Sequence, residues 1–594
     1  PKDASSWFDR EIDDAGDTPA AKRSAAHATP VAVKTERDAA GAGGPAQPKA
    51  VDTPKDALVL KLRKPANADG GDGVFSFSAG ATEASAGQRA QKKVLVICSN
   101  SHLGSDGGGD EDHNTGMHQE NARRTELLAG ADGCLRRKAL SDIMVWAPPV
   151  KYFPAPMSDL LRVHEYAYLR HLQDKCNREE VSFGKPSHVS SSSGHASPNE
   201  YLDADTPLGP LSLSAARRFC GAAMYAVDCA YGEAEPFPEE KVHSSGSRNP
   251  GIDRVFVLGR PPGHHAGPNG CVAPPTFWRR PEMTSSGFCL LNTAVVAAAY
   301  ARQKYGRQAL NQSALGSSGS VLGDRVLPKP RIAIIDIDIH HGNGTEACVR
   351  NLTPSMQQVP LPSSWAPVYQ QSYKPWLDDD DNKETFFGSV HLFQGEHFYP
   401  GTGRDCCEKV DPETGEGANI CNVTLTPVGP GPCDVAARNK LSGAQRTVCC
   451  DAASEEMKRK LEETLFPALA EFKPTLVIIS SGFDAHFDDM YHYLREQDYH
   501  WMTDRLCEIA ETANRGEAMS GRVISVLEGG YSLSTAIPAP RKSKKGVEQE
   551  ASEKPPKPPG SDPLTKFAQQ QGDGGLVKSV LAHVAALSGR DHWD

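Results

Sequence analysis

Three absences narrow the possibilities for this 594-residue sequence. It has no excess of positive charge. Its 64 Lys and Arg stand against 75 Asp and Glu, a net charge of −11, which argues against direct nucleic-acid binding. It has no apolar run near the ~20 residues that a membrane span needs, so no membrane is expected. Its 15 Cys include no C-x-x-C, so neither a zinc ribbon nor a thioredoxin motif is indicated. With no secretory signal visible, the adjacent pairs Cys406-Cys407 and Cys449-Cys450 read as free thiols of a reducing compartment.

What is present divides into four parts. Residues 1–90 are rich in Ala, Asp, Lys, Gly and Pro without a sustained period, and are expected to be a disordered N-terminal extension. Residues 91–535 hold the apolar strands and helices of one large domain. Residues 536–562 read as a Pro/Lys/Ser-rich linker, in which Arg541, Lys542, Lys544 and Lys545 form a solvated face or, as the alternative, a nuclear signal. Residues 563–594 end in an amphipathic helix, LVKSVLAHVAAL, expected to pack back on the large domain.

Strands are expected at 93–101, at 254–265 where the strand runs into a turn, and at 332–340, 388–393, 419–427, 475–485 and 522–531. Helices are expected at 118–131, 159–175, 211–231, 287–306 after an initial turn, 454–472 and 576–587, and long loops at 104–116, 307–330 and 353–385. Near-continuous apolar strands alternating with helices predict an α/β fold, a mostly parallel sheet covered on both faces. In such sheets ligands bind beyond the C-terminal strand ends. The unusual polar residues cluster at four of these ends: His264-His265, Asp336-Asp338-His340, Asp484 and Tyr531.

The stretch IAIIDIDIHHGNGTE (332–346) is the centre of this pattern. Alternation would put Asp336, Asp338 and His340 on one face, with Ile337 and Ile339 on the other. Two carboxylates and an imidazole on one buried face repel and are poorly solvated. A cation would resolve the conflict, and so would simple solvation of a strand end. Asp338, His340 and Asp484 make a three-ligand set of the catalytic zinc type. Asp336 could instead orient a histidine or join a monovalent-cation site. In RPPGHHA, a stiff turn would hold His264 and His265 as an acid–base pair. Tyr531 in LEGGY could donate to a developing oxyanion. Phe288 and Tyr399, each beside a Gly or Pro turn, could line an apolar slot.

The ordered motifs RPPGHHA, GFCLLN, DIDIHHGNGT, FYPGTG, SSGFDAH and LEGGY resemble those of the zinc-dependent histone deacetylase family, across roughly residues 93–535. Asn343 in HHGNGT is similar to class II. The resemblance implies the arginase–deacetylase fold and hydrolysis of N6-acetyl-lysine in histones or other proteins. It implies one catalytic zinc on Asp338, His340 and Asp484, with His265 as general base and acid. His264, supported by Asp336, would be the second histidine, and Tyr531 would polarise the carbonyl.

Phe288, Gly287 and Tyr399 match the lysine tunnel, Asp205 the rim acid and Arg124 an internal-channel arginine. A potassium ion would use the side chains of Asp336 and Ser389 and the carbonyls of Asp338, His340 and Val390. Hydroxamate-type inhibitors at the zinc, a corepressor complex, and a nuclear or cytoplasmic location are also implied. Three departures stand out. Tyr399 replaces a Phe wall, Tyr491 occupies a position near the tunnel mouth where the family often has Leu, and the three long insertions suggest a divergent, protist-like member. The Cys pair of a second, structural zinc is missing beside His118, so no second zinc is expected. An acetylpolyamine deacetylase would need an acidic gatekeeper where Tyr491 stands, although Asp488 and Asp489 are near. A weakly catalytic acetyl-lysine-binding scaffold is the other alternative.

Overall fold

The computed structural model describes residues 91–99, 113–116, 118–148, 153–183, 200–203, 205–234, 252–272, 285–315, 329–359, 368–395, 397–429, 437, 440–491, 493–512, 521–533 and 573–593. The expectations for residues 1–90 and 536–562 lie outside them. The described residues belong to one compact unit, Arg89–Asp594.

Among the described residues nine strands form the central sheet: β1 (Val94–Cys98), β2 (Met144–Trp146), β3 (Arg254–Leu258), β4 (Ile332–Asp336), β5 (Thr385–Leu392), β6 (Cys406–Glu408), β7 (Asn419–Leu425), β8 (Leu476–Ser481) and β9 (Arg522–Leu527). Their order is β6-β7-β5-β4-β8-β9-β3-β1-β2. Every neighbouring pair is parallel except β6 with β7. Every residue of β3, β4, β5, β8 and β9 is buried, so both faces of the sheet are covered. The expected α/β architecture is therefore the one observed. The four strands whose ends carry the unusual polar residues, β4, β8, β9 and β3, are consecutive neighbours.

Among the described residues the longer helices are α1 (Arg123–Ala129), α2 (Tyr166–Phe183), α3 (Ser212–Ala230), α4 (Thr293–Leu315), α5 (Asn343–Arg350), α6 (Gly443–Lys460), α7 (Phe466–Phe472), α8 (Glu496–Thr512) and α9 (Gly575–Ser588), with a short turn of helix at Met157–Leu160. The small-residue helices α3 and α4 pack together against the sheet, as do α8 and α9. His583 of α9 bridges Thr503 of α8 and Ser525 of β9, at 2.7 and 2.8 Å. Burial lowers this imidazole's pKa to about 3, so it is a neutral core residue.

Several boundaries differ from expectation for local reasons. The helix expected over 118–131 begins at Arg123, because Glu120 is drawn into a buried ion pair with Arg260 at 2.6 Å. The helix expected over 159–175 is broken between Leu160 and Tyr166. At the break, His164 Nδ1 bonds the Gly267 carbonyl at 2.9 Å and Nε2 accepts from the Asn292 N–H at 3.0 Å. The 353–385 loop contains two antiparallel paired strands, Ser355–Val359 and Val368–Ser372. Helix α4 extends to Leu315 into the expected 307–330 insertion. The 454–472 helix starts earlier, where Ser442 and Gln445 form a capping box, and is interrupted by a π-turn at Leu461–Leu465.

Candidate active site

Strand β4 stops at Asp336 because the next carboxylates turn back on their own chain. Asp336 Oδ1 accepts from the Asp338 N–H at 3.1 Å, and Asp338 Oδ1 accepts from the His340 N–H at 2.9 Å. Bonds of this kind compete with a sheet ladder. The expected alternation is thereby corrected. Asp338 and His340 lie in bends past the strand, not in one row with Asp336. Asp336 faces His264, whereas Asp338 and His340 face Asp484.

The ligand atoms of Asp338, His340 and Asp484 all lie within 4.8 Å of one another, and the three side chains are buried. His340 Nδ1 is 3.0 Å from Asp338 Oδ1 and 3.0 Å from Asp484 Oδ2. A single ring nitrogen cannot donate to both, and Asp484 Oδ2 has no hydrogen bond among the described residues. Burial, with the Asp338 charge behind it, pushes the Asp484 carboxyl up. An orphaned buried oxygen, a second carboxylate and an imidazole nitrogen aimed at one point are a donor set suited to a divalent cation. Gly482 permits this crowding, since a Cβ there would lie 1.8 Å from Asp338 Oδ2.

The two histidines after β3 have different partners and opposite charge preferences. His264 Nδ1 is 2.9 Å from Asp336 Oδ2, and its Nε2 is 3.8 Å from Asp338 Oδ2. Burial works to lower its pKa, but the Asp336 and Asp338 carboxylates outweigh burial and raise it to about 10. His265 Nδ1 is 2.8 Å from Asn343 Oδ1. The Asn343 amide is oriented by its donation to the Val272 carbonyl at 2.8 Å and by the Gly344 N–H on its oxygen at 3.1 Å. An amide oxygen only accepts, so Nδ1 carries the proton and Nε2 keeps its lone pair. Burial, together with the neighbouring His264 and His340, holds His265 well below the usual imidazole value. One imidazole is thus held charged and the other neutral, 3.9 Å apart between centroids.

The remaining expected residues surround this pair. Gly287 has φ 55° and Phe288 φ 69°, a left-handed turn. A Cβ on Gly287 would lie 2.4 Å from the His265 ring, so only glycine admits the imidazole there. Phe288 meets Tyr531 edge-on at 5.7 Å and His118 at 4.6 Å. The Tyr399 ring is 4.8 Å from His265, and its hydroxyl donates to the Ser285 carbonyl at 2.9 Å. Asp205 is exposed and accepts from the Ser285 hydroxyl. Burial pushes the Tyr531 phenol well above its usual value, so it stays protonated and able to donate.

Ser389 lies beside Asp336 in the β5–β4 register, with its hydroxyl on His391 Nδ1 at 2.8 Å; Val390 follows it in β5. Arg124 lies 4.9 Å from the Tyr531 ring centroid, and its Nε donates to the Gly530 carbonyl at 2.7 Å. Tyr491 packs edge-on against both His340 and Phe398.

Residues 118–540 match the model of the histone deacetylase domain. The chain belongs to the histone deacetylase family. Among its relatives is an uncharacterized protein of Synechocystis, 27% identical over 71% of this chain and 91% of its own length. Type-2 histone deacetylase 2 of Dictyostelium discoideum is 27% identical over 70% of this chain, which spans only 19% of that protein. A histone deacetylase-like amidohydrolase of Pseudomonas aeruginosa is 27% identical over 70% of this chain and 71% of its own length.

Three further acids brace the candidate site, of which only Asp489 stood out in the sequence, as an acid near Tyr491. Glu528 Oε2 accepts from the backbone N–H of Gly263 at 2.7 Å and of His264 at 3.2 Å, tying β9 to the histidine turn. Asp489 Oδ2 accepts from the N–H of Tyr531 and of Ser532, both at 2.7 Å. Burial lifts both carboxyls to about 7. Glu120 pairs with Arg260 and Arg124, and all three side chains are fully buried. A charged residue directly after an apolar run, as Glu528 follows VISVL, was the available signal for the first of these.

Proposed function

We propose that this histone deacetylase family member is a zinc-dependent lysine deacetylase, hydrolysing the side-chain amide of N6-acetyl-lysine in proteins. The observation that carries the reading is the neutral His265 imidazole, its Nε2 lone pair free by tautomer, beside the buried Asp338–His340–Asp484 set. Zinc held by those three residues would supply a Lewis acid that polarises the acyl carbonyl and acidifies water. His265 Nε2 takes the proton of the attacking water as the C–O bond forms. Tyr531 donates to the carbonyl oxygen as negative charge develops there. The His264 imidazolium, held by Asp336, adds positive field without giving up its proton. His265 then returns its proton to the leaving lysine nitrogen as the C–N bond breaks, yielding acetate and free lysine. Phe288, Gly287 and Tyr399 exclude water around the substrate stem, with Asp205 at the rim. Potassium between β4 and β5 at Asp336 and Ser389 belongs to the same reading.

The deciding experiment compares an acetyl-lysine peptide with N8-acetylspermidine, with and without a chelator. Chelator-sensitive turnover of the peptide in preference to the polyamine is expected; preference for acetylspermidine would replace the protein substrate with a polyamine. Against that second substrate, Asp488 is already engaged by Lys578 at 2.7 Å. A chain that binds acetyl-lysine peptide without turnover would be the scaffold instead.

The Asn343 contact makes a pH prediction. Replacing the neutral amide by a carboxylate, Asn343→Asp, would stabilise protonated His265 and raise its pKa. The base must be neutral to act, so the acidic limb of the pH profile of kcat/KM is expected to move to higher pH. Profiles that superpose with wild type would remove His265 from the base role.

A further inference from the structure

The imidazole of His340 is held from three sides. Phe398 lies parallel to it, with centroids 5.4 Å apart and an 8° angle between planes. Tyr491 stands edge-on at 5.2 Å and 78°, and also meets Phe398 at 5.1 Å and 70°. The two ring nitrogens face opposite environments. Nδ1 points at the carboxylates of Asp338 and Asp484, while Nε2 is 3.0 Å from the Tyr491 hydroxyl oxygen.

An imidazole coordinates a cation through one bare nitrogen, and the other must then carry the proton. That second proton needs an acceptor, because the ring is almost completely buried. We infer that Tyr491 is a positioning residue of the metal site: its hydroxyl oxygen accepts the Nε2–H of His340 and so fixes the tautomer whose Nδ1 lone pair faces Asp338 and Asp484. The inference rests on the reading of those three residues as a metal site. A Leu or Met at this position would pack beside Phe398 and His340 but could not accept the proton.

Outer partners of this kind typically alter metal affinity ~10–100-fold when removed. Tyr491→Phe keeps the ring and deletes only the oxygen; Tyr491→Leu deletes both. The full chain, stripped with chelator, would be titrated with zinc against a chromophoric competitor. The visible spectrum of the cobalt-loaded protein would be recorded alongside. Both variants are expected to bind zinc ~10–100-fold more weakly than wild type. Tyr491→Phe should also shift the cobalt band, while its metal-free form melts with the wild type. Wild-type zinc affinity in Tyr491→Phe would overturn the inference, even if Tyr491→Leu is weakened, because the loss would then belong to ring packing. Wild-type protein that binds no stoichiometric zinc would overturn the site reading itself, a result distinct from two variants matching a competent wild type.

Discussion

Tyr531→Phe is expected to fold, to bind zinc as tightly as wild type and to lose ~10²–10³ of kcat on an acetyl-lysine peptide. The expectation comes from what the phenol can and cannot do. Its pKa is raised by burial, so it serves as a hydrogen-bond donor and not as a base. It stands edge-on to Phe288, and Asp489 holds its backbone N–H. The phenyl ring of the variant keeps the packing and loses one donor. Loss in kcat with little change in KM is the signature of a bond made chiefly in the transition state. Turnover equal to wild type would remove Tyr531 from the mechanism, and lost zinc would reassign it to the metal site.

The second large effect is on stability. Glu120→Ala would take the shared carboxylate from two fully buried guanidiniums, leaving them neutral acceptors such as the Gly530 and His113 carbonyls. Glu120 receives Arg260 Nε at 2.6 Å and Nη2 at 2.8 Å, and Arg124 Nη1 at 3.2 Å. Removing one partner of a buried ion pair costs roughly 3–5 kcal/mol, because the remaining charge has no replacement for water. Burial works to raise the Glu120 carboxyl, but Arg260 and His113 hold it well below the usual value. A depressed folded-state pKa stabilises the fold above the unfolded-state value, and that stabilisation is lost as pH falls towards the folded-state value. Glu120→Gln, which still accepts hydrogen bonds, should cost less than Glu120→Ala. Thermal melts at neutral pH test both, and a melt of Glu120→Ala within a degree of wild type would mean that Arg124 and Arg260 find other acceptors.

The same cluster shows where the sequence was legible and where it was not. The strands β3, β4, β8 and β9 could be read because each is an apolar run, and a run buried on both sides needs no partner to be recognised. The polar residues at their ends stood out against that background, which is why the Asp338–His340–Asp484 set could be anticipated as a group. The alternation used to justify it fails beyond Asp336, because short acidic side chains bond their own backbone and end the ladder. Glu120 and Glu528 were not legible as site residues, and Asp489 was legible only as an acid near Tyr491, not as the group that holds the Tyr531 backbone. Asp489 and Glu528 hold backbone N–H groups far along the chain, and Glu120 holds Arg260, 140 residues away, as well as Arg124 four residues on; only that last pairing has a local spacing. Tyr491 was visible as a departure from a family pattern, but its hydrogen bond to His340 exists only in three dimensions.

The last helix places a physical limit on where this enzyme can be cut. Helix α9 begins with two backbone N–H groups on Ser532: Gly575 on its hydroxyl at 3.3 Å and Leu576 on its carbonyl at 3.1 Å. Three residues later Lys578 reaches Asp488, next to the acid that holds the Tyr531 backbone. The match to the family model ends at residue 540, short of this helix. A shortened chain drawn to the motifs alone would therefore carry every side chain proposed to react yet lack the element that braces the final one.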